Sequence, residues 1–204
     1  MIKLSRMSDK IILASASRQR RLIMDALGLE YKIIPADIDE KAIRDEDLEK
    51  RAENIARAKA LEVAKNNQGI IIAADTFAYC NSMVLEKPKD LKEAIEMIKL
   101  QSNNDVTVYS GFCYLDKKNN IDFSKTSISK IRLRNMSDDE IEYFVNNNPV
   151  LQWSAAFSPT YLYQTTFIKH FEGSITGVSG LPVEFLAECL EKSGVKINGT
   201  PWTE

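Results

Sequence analysis

Three short stretches of this chain carry groups that can do chemistry, at places where their neighbours make those groups costly or directed. Ser15-Ala16-Ser17-Arg18-Gln19-Arg20-Arg21 follows the apolar run Ile11-Ile12-Leu13-Ala14, so it stands where a buried strand meets a helix. Open N–H groups at a helix N-terminus, two hydroxyls and three arginines suit a chain of phosphates. A serine-capped helix with a basic, solvated face accounts for the same residues. Asp75 lies inside Ile70-Ile71-Ile72-Ala73-Ala74-Asp75-Thr76. A buried carboxylate is costly unless it pairs with a cation or holds a metal, so a structural ion pair and a catalytic acid both fit. Asp37-Ile38-Asp39-Glu40 can supply a second hard oxygen ligand for Mg²⁺, although acidic loops are usually just solvated. Lys59, on the packed face of an alanine-rich helix, and Lys87, just before Pro88, can aim fixed charges at a common centre. Snorkelling to the surface is the more frequent use of such lysines.

Other chemistries are disfavoured by what the chain contains. His170 is the only histidine, so a multi-histidine metal site cannot form, and a Ser-His-Asp mechanism would have to run through it. Neither a Walker A nor a Rossmann glycine pattern occurs. Cys80, Cys113 and Cys189 are odd in number, far apart and set in apolar stretches, which reads as buried free thiols in a reducing, cytoplasmic setting. The formal net charge of −2 supplies no global field for a polyanion, so nucleic acid is not the expected partner. No apolar stretch approaches the ~20 residues that span a bilayer, and no membrane partner is expected.

These groups must be positioned by a scaffold, and 204 residues with 44% hydrophobic and 27% charged content suit one soluble domain. The patterning predicts a strand over 11–14, then a helix from Arg18 to Leu27 with Ser15 or Ser17 as N-cap and Gly28 just past its end. A strand over 31–34 and an amphipathic helix from Leu48 to Ala64 follow. A doubly buried strand over 70–79 leads through an Asn81-Ser82 turn to a helix capped by Asp90. Strands over 106–115 and 121–134 flank a polar hairpin loop. Ser137 and Glu140 form a capping-box pattern, residues 153–171 read as strand and loop, and Pro182 opens a last helix through Leu190. Interleaved strands and helices give an α/β fold, a single domain with a mixed central sheet flanked by helices.

The ordered motifs carry a resemblance. LASASRQR at 13–20, Asp39-Glu40, ARAKA at 56–60, AADT at 73–76, EKPKD at 86–90, VYSG at 108–111, MSDDEI at 136–141, and EGS with VSGLP between 172 and 182 are similar to the Maf family of nucleoside triphosphate pyrophosphatases. The similarity covers 10–193, leaving 1–9 and 194–204 as short terminal extensions. It implies a fold resembling that of inosine triphosphate pyrophosphatase, a cleft across the sheet, and a nucleoside triphosphate substrate split between its α- and β-phosphates with a divalent metal cation, Mg²⁺ or Mn²⁺. It further implies that Ser15, Ser17 and Arg20 hold phosphates, that Glu40 and Asp75 serve metal binding and water activation, and that Lys59 and Lys87 neutralise the triphosphate. A homodimer is compatible with this reading.

Departures from the family bear on the base. The branch that prefers dTTP and UTP has adjacent arginines where this chain has Gln19 and Arg20; the branch acting on 7-methyl-GTP has tryptophan at Gln19 and arginines matching Arg20 and Arg21. The arginine spacing leans toward the second branch and Thr76 after Asp75 toward the first, so the same reaction on 7-methyl-GTP is an alternative to dTTP, UTP or a modified nucleotide. The glutamine or glutamate of the family's base-reading segment is lost within Ser154-Ala155-Ala156-Phe157-Ser158-Pro159-Thr160-Tyr161. Thr160 and Tyr161 are expected to face the base instead, giving tolerant stacking with a modest preference for pyrimidines. A nucleotide-binding regulator without turnover is the alternative to an enzyme.

Overall fold

The computed structural model describes residues 10–199; the expected extension at 1–9 and residues 200–204 lie outside the described residues. One seven-stranded mixed sheet organises them. Its strands are β1 (Ile11–Leu13), β2 (Tyr31–Ile33), β3 (Ile70–Cys80), β4 (Met83–Leu85), β5 (Asp105–Asp116), β6 (Ile121–Leu133) and β7 (Ile168–Glu172). The order across the sheet is β2-β1-β3-β5-β6-β7, with β4 also paired to β3. β1 runs parallel to β2 and β3, and every other pairing is antiparallel.

The pairing of β3 creates the site. On one edge it bonds to β5 from Ile70 to Tyr79. On the other, β1 covers Ile70–Ile72 and β4 covers Ala78–Cys80, so the stretch around Asp75 lies between two partners. In open α/β sheets, ligands bind at such breaks in strand order, beyond the ends of parallel strands.

The helices are α1 (Arg18–Ala26), α2 (Leu48–Ala64), α3 (Leu91–Gln101), α4 (Asp138–Asn146), α5 (Leu162–Thr165), α6 (Ile175–Val178) and α7 (Val183–Lys192). Asp47 caps α2 by accepting from the Glu49 and Lys50 amides, and the helix buries Ala52, Ile55, Ala56, Ala60 and Val63. Small side chains let its backbone lie close on the sheet. A β-carbon at Gly111 of β5 would stand 1.9 Å from the Ala52 carbonyl oxygen, so glycine there is a condition of that approach. Asp90 caps α3, and the Ser137–Glu140 capping box opens α4 as the pattern predicts.

The remaining differences are short elements. β4 and α6 have three and four residues, too few for a period to register. Within 153–171 only Ile168–Glu172 is a strand. The rest winds through helical turns, because Phe144, Trp153, Phe157 and Phe167 serve one core cluster beneath them rather than a pleated ladder. Ala155 and Ala156 both take positive φ, 55° and 56°, a left-handed geometry that costs a non-glycine residue roughly 1–2 kcal/mol. Ser17 occupies the N-cap position of α1, but its side chain makes no capping bond. Part of the expected tail returns to the fold, since the Gly199 amide donates to the Leu27 carbonyl at the end of α1. All three cysteines are buried and free.

Candidate active site

A cleft of about 880 Å³ opens over the break between β1 and β4. Its floor is the β1–α1 loop and mid-β3, and its rim is the Glu40 turn on one side and Lys87 on the other. The structure brings Ser15, Ser17, Gln19, Arg20, Arg21, Glu40, Lys59, Asp75, Thr76 and Lys87 together in its lining.

Asp75 is 9% exposed, held between Ala74 and Thr76 on the central strand. Its charge is met by Lys59, whose Nζ lies 2.7 Å from Asp75 Oδ1 and 2.8 Å from Glu40 Oε2. Lys59 is buried because it continues the inward stripe of α2, where Arg51, Ile55 and Lys59 recur every fourth residue. Glu40 reaches it from a short 3₁₀ turn, which Asp39 caps by accepting from the Lys41 and Ala42 amides. Two carboxylates therefore converge on one cationic nitrogen. Among the described residues no cluster of three or more His, Cys, Asp or Glu forms a metal cage.

Arg20 is 8% exposed and spends three donors inside the protein. Its Nη1 donates to Ser15 Oγ at 2.7 Å, its Nε to the Gly180 carbonyl at 2.8 Å, and its Nη2 to Thr76 Oγ1 at 3.4 Å. A guanidinium has five N–H donors, so it orients both hydroxyls with capacity to spare. Burial lowers its pKa, opposed by the charges of Asp75 and Glu40. Lys87 stands at the rim, exposed on its outer side. Desolvation by the cleft walls, then the nearby charges of Arg20 and Lys59, lower its pKa against the pull of Glu40 and Asp75.

Several residues with no evident motif complete the site. Arg51 donates to Glu86 Oε1 at 2.6 Å and lies 5.0 Å over the Phe77 ring, fixing the loop that carries Lys87. The four-residue spacing of Arg51, Ile55 and Lys59 is the signal that could have identified it. Ser154 donates to the Thr76 carbonyl at 2.6 Å, satisfying the edge of β3 that no strand covers. The Glu86 carbonyl accepts from the Ala155 amide, tying this loop to the same turn.

A second, narrower pocket of about 80 Å³ continues past Thr76 between the sheet and the 153–158 turn. Gln19, Phe77, Gln101, Trp153 and Ser158 are in its wall. Thr160 is in the lining of neither cavity, and its hydroxyl accepts from Ser158 Oγ at 3.1 Å. Tyr161 packs on Trp153 with ring centroids 5.0 Å apart, as part of the core beneath the turn. Neither Thr160 nor Tyr161 is thus in the lining of either cavity; the chain reaches them after the left-handed Ala155 and Ala156.

A family model described as Maf-like protein matches residues 10–193. A dTTP/UTP pyrophosphatase of Treponema denticola is 35% identical over 204 residues, covering 92% of this chain and 98% of its own. One of Syntrophomonas wolfei is 32% identical over 186 residues, covering 91% and 98%. Among solved structures, the Staphylococcus aureus Ham1 protein superposes with a TM-score of 0.50 at 15% identity, covering 90% of this chain and 99% of its own, a likeness of fold.

Proposed function

The chain belongs to the Maf-like protein family, and from that premise we propose that it is a nucleoside triphosphate pyrophosphatase that splits dTTP or UTP into the monophosphate and pyrophosphate. One observation carries the reading: a buried carboxylate on the central strand, an ammonium and a second carboxylate share a large cleft with hydroxyls and further cations.

Hydrolysis at phosphorus needs an aligned water, a proton acceptor and cations around the phosphate oxygens, and it needs no side-chain nucleophile. In this reading Asp75 takes the proton of the attacking water. Its partner Lys59 holds it at 2.7 Å and, with Lys87, offsets charge that builds on the oxygens as the bond between the α- and β-phosphates breaks. Ser15 and Ser17, with the uncapped N-terminus of α1, supply donors for the phosphates. Arg20 fixes Ser15 and Thr76 and adds its field.

Glu40 and Asp75 fit a divalent cation, because both already direct an oxygen at one positive nitrogen, and hard cations at phosphate sites use one or two carboxylates with water and phosphate oxygens completing the shell. When bound, Mg²⁺ or Mn²⁺ would polarise a phosphoryl oxygen and make water more acidic.

The test is a panel of nucleoside triphosphates incubated with the purified protein, with Mg²⁺ or Mn²⁺ and with a chelator, separating pyrophosphate from orthophosphate. Pyrophosphate with monophosphate from dTTP or UTP, abolished by the chelator, is expected. Orthophosphate with diphosphate would overturn the assignment.

A further inference from the structure

We propose that Trp153, Gln101 and Gln19 read the base through the acceptor–donor–acceptor edge of a uracil- or thymine-type ring, a reading that rests on the cleft taking a nucleoside triphosphate. All three are in the wall of the inner pocket beyond Thr76, and each is more than nine-tenths buried. They come from separate elements: Gln19 from the first turn of α1, Gln101 from the end of α3, and Trp153 from the turn before Ser154.

Their hydrogen-bonding states differ in a way that specifies a partner. Gln19 Oε1 accepts from the Ser17 hydroxyl at 3.1 Å, while its amide nitrogen is buried with no partner. The indole nitrogen of Trp153 is likewise buried and unpartnered. Gln101 is the reverse case, since its amide nitrogen donates to the Met97 and Ala155 carbonyls at 3.0 and 2.7 Å. Two carbonyl partners fix which way that amide faces and leave its oxygen as the acceptor for the pocket it lines. Buried donors without partners are uncommon in native proteins and costly, so two on one pocket wall point to a ligand that completes them.

Two donors and one acceptor match a ring edge that presents two carbonyl oxygens with an N–H between them. Cytosine carries an amino donor in place of one of those carbonyls and has no N–H at the central nitrogen. It would leave one protein donor facing a donor and the Gln101 oxygen unfilled. The remaining wall, with Phe77, Val108 and Phe157, is apolar and suits the ring faces. Since a site that hydrogen-bonds its substrate rejects analogues lacking those groups, discrimination here is expected to exceed the tolerance of stacking alone.

The experiment compares kcat/KM for UTP, CTP and N3-methyl-UTP by pyrophosphate release from the full-length protein. UTP is expected to exceed both others by on the order of a hundredfold or more. Trp153→Phe, which keeps an aromatic ring but removes the N–H, and Gln19→Met are each expected to lower the UTP-to-CTP ratio by about tenfold. The wild-type comparison with N3-methyl-UTP needs no variant and decides the matter even if the substitutions disturb folding. Equal rates for the three nucleotides, or an unchanged ratio in folded variants, would overturn the base reading and leave the pyrophosphatase assignment standing. If no nucleotide yields pyrophosphate, calorimetry with UMP and CMP separates the two ideas: preferential UMP binding keeps the pocket assignment and removes the activity, and equal or absent binding removes both.

Discussion

The two ends of the cavity system handle polar groups in opposite ways. At the mouth, the buried charged groups are already engaged: Lys59 bridges Asp75 and Glu40, and Arg20 donates hydrogen bonds to Ser15, Thr76 and Gly180. In the inner pocket, donors on Gln19 and Trp153 are left unpaired. A ligand at the mouth must exchange one set of ionic contacts for another, which gives little net affinity and leaves the groups ready to respond as charge moves. A ligand in the inner pocket completes bonds that nothing else makes, which is where selectivity arises. The difference teaches that turnover and choice of substrate rest mainly on different groups, although Gln19 lines both cavities, and should be separable by substitution.

The strongest test of that separation is Asp75→Asn. The amide keeps the shape of the carboxylate but cannot take a proton as it does, so kcat should fall on the order of a thousandfold or more. Lys59 retains Glu40 as partner, and the melting temperature should stay near that of wild type. Pyrophosphate release with a thermal melt checks both; turnover near wild type would reduce Asp75 to a structural ion pair.

Arg20→Ala comes next. It removes three bonds and strands the buried Gly180 carbonyl, so nucleotide affinity should drop about tenfold and stability should fall as well. Arg21→Ala, with no such network, should do markedly less to either. Matching losses from the two variants, in titrations with a non-hydrolysable analogue, would place the phosphate contacts on the open helix face instead.

A smaller, pH-dependent effect is expected at Lys87. Its pKa is lowered, so its charge is lost as pH rises at a lower pH than for an ordinary lysine near 10.4. kcat/KM should therefore decline on the alkaline side before that value, and Lys87→Arg, which stays charged, should move the decline upward. An alkaline limb unmoved by the substitution would show that another group sets it.

The smallest change is a control remote from both ends. Ser137→Ala removes the capping bond to the Glu140 amide and should cost about 1 kcal/mol of stability with no change in the UTP-to-CTP ratio.

What could be read from the residues alone follows the same division. Asp75 stands out because a charge in an isoleucine run is anomalous, and Asp90 and Ser137 are legible because caps act within one turn. Lys59 shows on the inward stripe of α2; its partner Glu40 shows only as one member of the acidic cluster at 37–40, and the family resemblance singles it out. Trp153 and Gln101 look like ordinary core residues, since what marks them is a missing bond, and only coordinates reveal an absence. Thr160 is expected at the base only because it follows the family's missing glutamine or glutamate, and it is in the lining of neither cavity. Its path is set by two left-handed alanines that no propensity would place there.

The break along β3 also bears on how the protein comes to exist. β5 and β6 meet across a tight loop, with Asp116 facing Ile121, so that hairpin closes a short stretch of chain. β1 instead pairs Ile12 with Ile71, a contact that must gather both α1 and α2 between them. Contacts between distant segments carry the larger closure entropy and form late. The cleft is bounded by the end of β1, so folding intermediates that hold the hairpin but lack this docking have no place for a nucleotide. A bound nucleotide accordingly stabilises only the finished state, and saturating amounts should slow loss of the fold as well as raise its midpoint.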